Sequence, residues 1–200
     1  MKKTACQACP IHGLSIAQHI SAKKWEQFQR FKTANTYRRG DTIFYQGNRP
    51  QGLHFICEGR VKLVKQDASG RMLIVRVVEA PDLLGERAFF ADKAYACAGE
   101  AMVESRICFL EARRFWDLFG AEPQSLRLLL GKFAEELGRA HDTMHCLTVC
   151  TIKQRLAKHL LSLPGPATAA TRHRGFILED SRTELAGLLA HAWAQVELRH

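Results

Sequence analysis

The chain has 200 residues, of which 46% are hydrophobic, and carries a formal net charge of +9. This length allows one or two domains with a real core, and no run of eighteen apolar residues exists, which excludes a membrane-spanning helix. The first ten residues also lack the apolar stretch of a signal peptide. We therefore expect a cytoplasmic protein without a membrane partner, whose seven cysteines are thiols or ligands rather than disulfides.

Residues 1–33 combine a cysteine pair with a predicted helix. Cys6 and Cys9 are three positions apart in a short polar segment, where burial in a core does not explain them. This spacing allows two thiolates to hold one metal or cluster. Apolar residues then recur at helical spacing over 14–33.

Residues 34–120 predict an antiparallel β-domain. Short segments rich in β-branched and aromatic residues alternate with glycine-containing turns at intervals of roughly ten residues, which is typical of a sandwich or barrel. These segments are 42–45, 53–56, 61–64, 73–78 and 106–110. Cys108 lies in the last predicted strand.

Residues 121–150 carry apolar side chains at alternating spacings of four and three. A repeat of seven predicts a long helix that pairs with an identical helix. The alternative is an amphipathic helix that lies on its own β-domain. The predicted dimer seam consists of Leu130, Phe133, Leu137, Ala140 and Met144.

Residues 151–200 predict further helices. A helix over 152–163 ends at a Pro-Gly-Pro sequence, and a loop that includes Arg172 follows. Ser181 and Glu184 have the spacing of a capping box, which marks the start of another helix. A last helix is predicted near the end of the sequence.

This order of elements resembles the CRP/FNR family of bacterial transcription regulators. The resemblance rests on Tyr37–Gly47, Phe55–Leu63, Leu83–Glu86, Ile152–Leu161 and Thr183–Leu189. It implies an α+β fold with an N-terminal antiparallel β jelly roll, a long dimerisation helix and a C-terminal winged-helix-like domain. It also implies a homodimer that binds DNA and, where DNA binding is retained, RNA polymerase. We do not expect an enzyme, since no catalytic set of side chains is evident.

The resemblance offers two kinds of effector. Cyclic-nucleotide binders of the family place the phosphate over a Gly-Glu turn and hold it with a later Arg-Ser pair. This chain has Gly85-Glu86 but only Tyr95-Ala96 at the later position. Because a buried phosphate needs a guanidinium partner, we do not expect cyclic AMP to bind.

The FNR-like branch instead holds an oxygen-sensitive iron–sulfur cluster. Cys6, Cys9 and Cys108 match its ligand positions, whereas Ser15 stands where another cysteine is usual. His12 is a candidate replacement, since imidazole can bind a cluster iron. A thiol redox pair and the absence of any sensing role are the alternatives.

The predicted recognition helix departs from the family after Leu189. Trp193 and Ala194 stand where the family has arginine and glutamate, and the sequence stops before a wing. We therefore predict an incomplete helix–turn–helix domain whose DNA binding is weak or lost. The alternative is a sensor or dimerisation protein that derives from the family and does not read DNA. The candidate DNA contacts are Gln195, Arg199, Arg182 and Arg172.

Overall fold

The computed structural model describes residues 20–162 except Ser69 and Arg71. Its elements in chain order are α1 (Ala22–Phe31), β1 (Thr33–Tyr37), β2 (Thr42–Phe44), β3 (Gly52–Glu58), β4 (Arg60–Gln66), β5 (Met72–Glu79), β6 (Asp82–Leu84), α2 (Glu86–Phe90), β7 (Ala98–Ala101), β8 (Ser105–Glu111), α3 (Ala112–Phe119), α4 (Pro123–Val149) and α5 (Ile152–Ser162).

The strands form two four-stranded antiparallel sheets, within the part of the chain that the structure describes. One sheet has the order β1-β8-β3-β6 and the other β2-β7-β4-β5. Strand β3 is buried from Gly52 to Cys57, because it lies between two strands of its sheet. The predicted antiparallel jelly roll is therefore confirmed.

An aromatic cluster joins α1 and α3 to the sheet that contains β3. Phe28 lies edge-on to Phe55 with ring centroids 5.4 Å apart, and Phe115 stacks on Phe119 at 5.0 Å. All four rings are fully buried. Burial of each such side chain contributes about 1.5–3 kcal/mol, so α1 is an integral part of this domain.

The predicted long helix is α4, which has 27 residues. The chain divides into two compact units between Ala134 and Glu135. In the first unit, Leu129 is buried in the core cluster, and Phe133 packs edge-on against Phe90 with ring centroids 5.6 Å apart. The second unit contains the remainder of α4 and, among the described residues, α5.

None of the helices formed within residues 20–162 is both long and apolar enough to cross a bilayer.

Candidate functional site

The turn between β6 and α2 is the Gly-Glu turn singled out in the sequence. Gly85 has a left-handed φ of 81°, which glycine adopts without the strain that a Cβ adds. The carboxylate of Glu86 is buried and accepts a hydrogen bond from Arg76 Nη1 at 3.0 Å. Arg76 Nη2 also donates to Asp82 Oδ2 at 3.2 Å, and Lys132 Nζ donates to Asp82 Oδ1. The two carboxylates at this turn are thus neutralised by cations of the same domain.

Tyr95 covers the glycine of this turn. Its ring stacks on Phe44 with centroids 4.2 Å apart, and a Cβ added to Gly85 would lie 2.8 Å from Tyr95 Cε1. Two backbone hydrogen bonds fix the segment, from Tyr95 N to Asn48 O at 2.9 Å and from Gly47 N to Tyr95 O at 2.8 Å. Burial raises the pKa of Tyr95 to about 12, and the charge of Glu86 acts in the same direction. The ring of Tyr95 is therefore neutral and covers the turn. Arg87, the cation that directly follows Glu86, is exposed.

A pair of thiols lies in the sheet that α1 covers. Cys108 on β8 has Ala34 of β1 and Phe55 of β3 as its register partners. Cys57 lies at an irregularity in the β3–β8 register, and its Sγ is 3.0 Å from Cys108 Sγ. Both side chains are almost completely buried in the same core cluster.

The hydrogen bond from Cys57 lowers the pKa of Cys108 to about 7, although burial acts in the opposite direction. Sequence analysis missed Cys57 as a neighbour of Cys108. The signal that could have found it is the register of β3 against β8, since Cys57 lies two positions beyond the residue that pairs with Cys108. That register joins strands about fifty residues apart and is not a local property of either one.

Of the predicted metal ligands, only Cys108 falls within the described residues. Cys6, Cys9 and His12 lie outside them, as do all four candidate DNA contacts, Gln195, Arg199, Arg182 and Arg172. Within the described part of the chain, no three or more His, Cys, Asp or Glu side chains are arranged to hold a metal ion. A metal site at Cys108 therefore requires ligands from elsewhere in the sequence.

The predicted seam residues have different environments along α4. Leu130, Leu137 and Met144 are 68%, 58% and 63% exposed, and Ala140 is also exposed. Phe133 instead packs against Phe90 of its own domain. Phe133 therefore lies on the β-domain, whereas three large apolar side chains of the predicted seam are exposed. The pairing of two identical helices stays a prediction.

Comparison with known proteins shows which domains and regulators this chain is similar to. Residues 34–122 match the cyclic nucleotide-binding domain. The transcriptional regulator LdrP of Thermus thermophilus is 27% identical over 154 residues, which cover 77% of this chain and 75% of LdrP. The chain is thus similar to the CRP-family transcription regulators. The cAMP-activated global transcriptional regulator Vfr of Pseudomonas aeruginosa is 25% identical over 157 residues, 76% of this chain and 73% of Vfr.

Solved structures agree with this relationship. The CRP-family regulator TTHB099 of Thermus thermophilus superposes with a TM-score of 0.66 at 26% identity, over 81% of this chain and 80% of TTHB099. The global regulator CLP of Xanthomonas campestris has a TM-score of 0.74 at 19% identity and 88% coverage of both chains, which shows the shared fold. The predicted resemblance to the CRP/FNR regulators is confirmed, and these relatives are transcription regulators rather than enzymes.

Proposed function

We propose that this chain is a CRP-family regulator that senses oxygen or redox state through an iron–sulfur cluster held by Cys6, Cys9 and Cys108, and not through a cyclic nucleotide. The observation that carries the proposal is the sulfur pair of Cys57 and Cys108 at 3.0 Å, in a domain whose Gly-Glu turn lies under Tyr95.

The chemistry of the turn argues against a cyclic phosphate. Arg76 is shared between Asp82 and Glu86, so its guanidinium would have to leave two carboxylates to bind a ligand. Tyr95 offers a neutral ring and Ala96 a methyl group. A phosphate buried without a cationic partner loses its hydration, which costs several kcal/mol.

The donor set fits a sulfur-ligated cluster. Thiolates are the usual ligands of iron–sulfur clusters, normally four in number. Two thiolates on one tetrahedral metal ion lie about 3.8 Å apart when each metal–sulfur bond is about 2.3 Å. Cys57 and Cys108 need to separate by less than about 1 Å to reach that spacing. We therefore add Cys57 to His12 and Ser15 as a candidate for the remaining ligand.

A bound cluster would supply the response to the redox state, since it exchanges electrons or is lost on contact with oxygen. The role of this chain's residues is to hold it. Cys108 is fixed by strand pairing on both sides, with β1 and with β3. A displacement of Cys108 would therefore also displace its neighbouring strands, β1 and β3.

Anaerobic reconstitution with iron and sulfide tests the proposal. We expect a brown protein with visible absorption that bleaches in air, and a defined ratio of iron to sulfide. Cys108→Ala should remove the colour, and Cys57→Ala should lower the iron content. Cys97→Ala is the matched control, because Cys97 is partly buried on the same domain and should leave the spectrum unchanged. A colourless protein without iron contradicts the cluster.

We further propose that the regulator is a homodimer paired through α4, with weak DNA binding. The three exposed seam side chains Leu130, Leu137 and Met144 support the pairing, because a soluble helix seldom leaves a regular apolar stripe uncovered. The alternative function, a sensor and dimerisation protein without DNA binding, shares this seam. A selection of binding sites from random DNA separates the two, since only a regulator enriches a palindromic sequence.

A further inference from the structure

Two thiols and a lysine meet where α4 ends and α5 begins, within the second unit. Lys158 Nζ lies 3.5 Å from Cys146 Sγ and 3.7 Å from Cys150 Sγ. Cys146 belongs to the last turns of α4, and Cys150 directly follows its last residue, Val149. The proposed cluster uses none of these groups.

Cys146, which is 9% exposed, lines an open cleft of about 250 Å³ together with Arg155, Lys158 and His159, among other residues. The cleft holds several molecules the size of water, each of which takes about 30 Å³. A small oxidant can therefore reach Cys146 without unfolding the unit. Cys57 and Cys108, in contrast, are only 2% and 0% exposed.

The neighbouring groups shift the pKa values of the two thiols in opposite directions. The pKa of Cys146 is lowered, first by its hydrogen bond with Cys150, and also by Lys158 and Arg155, against the opposing effect of burial. The pKa of Cys150 is raised, chiefly by the same hydrogen bond. Because the thiolate is the reactive form of cysteine, Cys146 is the nucleophile of the pair and Cys150 is its neighbour that keeps the proton.

We propose that Cys146 is a site of oxidation by hydrogen peroxide and that Cys150 resolves it to a disulfide. The Cys146 thiolate attacks one peroxide oxygen, the O–O bond breaks, and the leaving hydroxide takes a proton to become water. The resulting sulfenic acid is attacked by Cys150 sulfur, which forms the S–S bond, loses its proton and releases a second water. Two electrons pass from the two sulfurs to the peroxide.

The disulfide would change the end of α4. Cβ atoms four residues apart on a helix are about 5–6 Å apart, whereas a disulfide needs about 3.5–4.5 Å. The final turn must therefore distort, and the hydrogen bond from Cys150 N to Cys146 O at 2.8 Å is placed under strain. The next residue, Thr151, shares a capping box with Gln154 at the start of α5. Oxidation would therefore change the backbone between α4 and α5. It would also remove the two thiols that Lys158 contacts.

Peptide mass analysis of the full chain tests the site. Trypsin cleaves after Arg139 and Lys153, so both thiols remain on one peptide. After brief treatment with peroxide and alkylation, we expect this peptide to be lighter by two hydrogens and to carry no alkyl group. Cys150→Ser should give no disulfide and instead accumulate a sulfenic acid that dimedone captures.

A matched pair of lysine variants separates the electrostatic argument from general reactivity. Lys158→Met should slow the alkylation of Cys146 several-fold, whereas Lys153→Met, at an exposed position of the same helix, should not. Equal rates in the two variants, or a peroxide-treated peptide that keeps both thiols, would overturn the proposal. The peptide assignment keeps this result distinct from loss of a cluster at Cys6, Cys9 or Cys108.

Discussion

His54 gives the first domain a dependence on pH that can be worked out from its surroundings. The imidazole lies on β3 between Phe44 and Phe109, with ring centroids 5.5 Å and 4.9 Å away. It is 9% exposed, and its Nδ1 makes no hydrogen bond within the described part of the chain. Burial lowers the pKa of His54 from 6.5 to about 4, because a charged ring between two aromatic rings loses its hydration.

The direction of the pH dependence is set by whether the folded or the unfolded chain binds the proton more readily at His54. Below pH 6.5 the unfolded chain protonates His54 while the folded chain does not, so acid favours unfolding. The stability that depends on neutral His54 is complete above pH 6.5 and is lost as the pH falls towards 4. At about 1.4 kcal/mol for each pKa unit, the loss between about pH 7 and about pH 4.5 is about 2 kcal/mol. This is a large share of the about 5–15 kcal/mol by which domains are stable.

Urea unfolding at about pH 7 and about pH 4.5 measures this effect. The parent should lose about 2 kcal/mol more than His54→Phe over this range. His54→Gln is the second variant, since it also cannot titrate but keeps a polar group. The two variants should show the same reduced dependence on pH even where their stabilities at neutral pH differ. If either variant keeps the parent's full pH dependence, the assignment to His54 is wrong.

Four further predictions address the turn, the seam and the ligands. Gly85→Ala should lower the free energy of unfolding of the domain by about 1–3 kcal/mol in thermal unfolding, because φ is 81° and the new Cβ meets the ring of Tyr95. The control is Gly131→Ala, at a helical position with open space among the described residues, which should raise the free energy of unfolding by about 0.5–1 kcal/mol. Leu137→Glu should convert a dimer to a monomer in light scattering, whereas Leu161→Glu, another exposed apolar position, should not. Calorimetric titration should show no micromolar binding of cyclic AMP, and binding would mean that Tyr95 moves aside. Selection from random DNA at physiological salt should enrich a palindromic site only weakly, since Trp193 and Ala194 cannot make the bidentate base contacts that contribute about 1–3 kcal/mol each.

The strands that the sequence predicts are those whose side chains supply the core. The segments at 53–56, 61–64 and 106–110 are rich in β-branched and aromatic residues, and they form the central parts of β3, β4 and β8. Three strands escaped prediction. β6 has only three residues, β1 is interrupted by Ala34 and Asn35, and β7 has no β-branched or aromatic residue. β1 is Thr-Ala-Asn-Thr-Tyr and β7 is Ala-Gly-Glu-Ala. Tertiary pairing decides the conformation of these two strands, with β8 for β1 and with β2 and β4 for β7.

β7 shows why a weak strand former is suitable at its position. Gly99 lies beneath the ring of Phe44, where an added Cβ would come within 2.8 Å of Cε1. A bulky residue would displace Phe44 and with it the stacked Tyr95. The small residue that lowers the local strand propensity is therefore the one that lets the aromatic pair close over the Gly-Glu turn.

The candidate sites also differ in how much of them the local sequence reveals. The pairing of Cys146 with Cys150 is visible in the sequence as a spacing of four on a helix, but the lysine that distinguishes them comes from the next helix. Cys57 and Cys108 are 51 positions apart, and only the register of β3 on β8 brings their sulfurs together. A spacing between cysteines therefore predicts which thiols can share a site on one element. Whether a thiol lies beside a cation or is buried among aromatic rings depends on the neighbouring elements, which the spacing does not reveal.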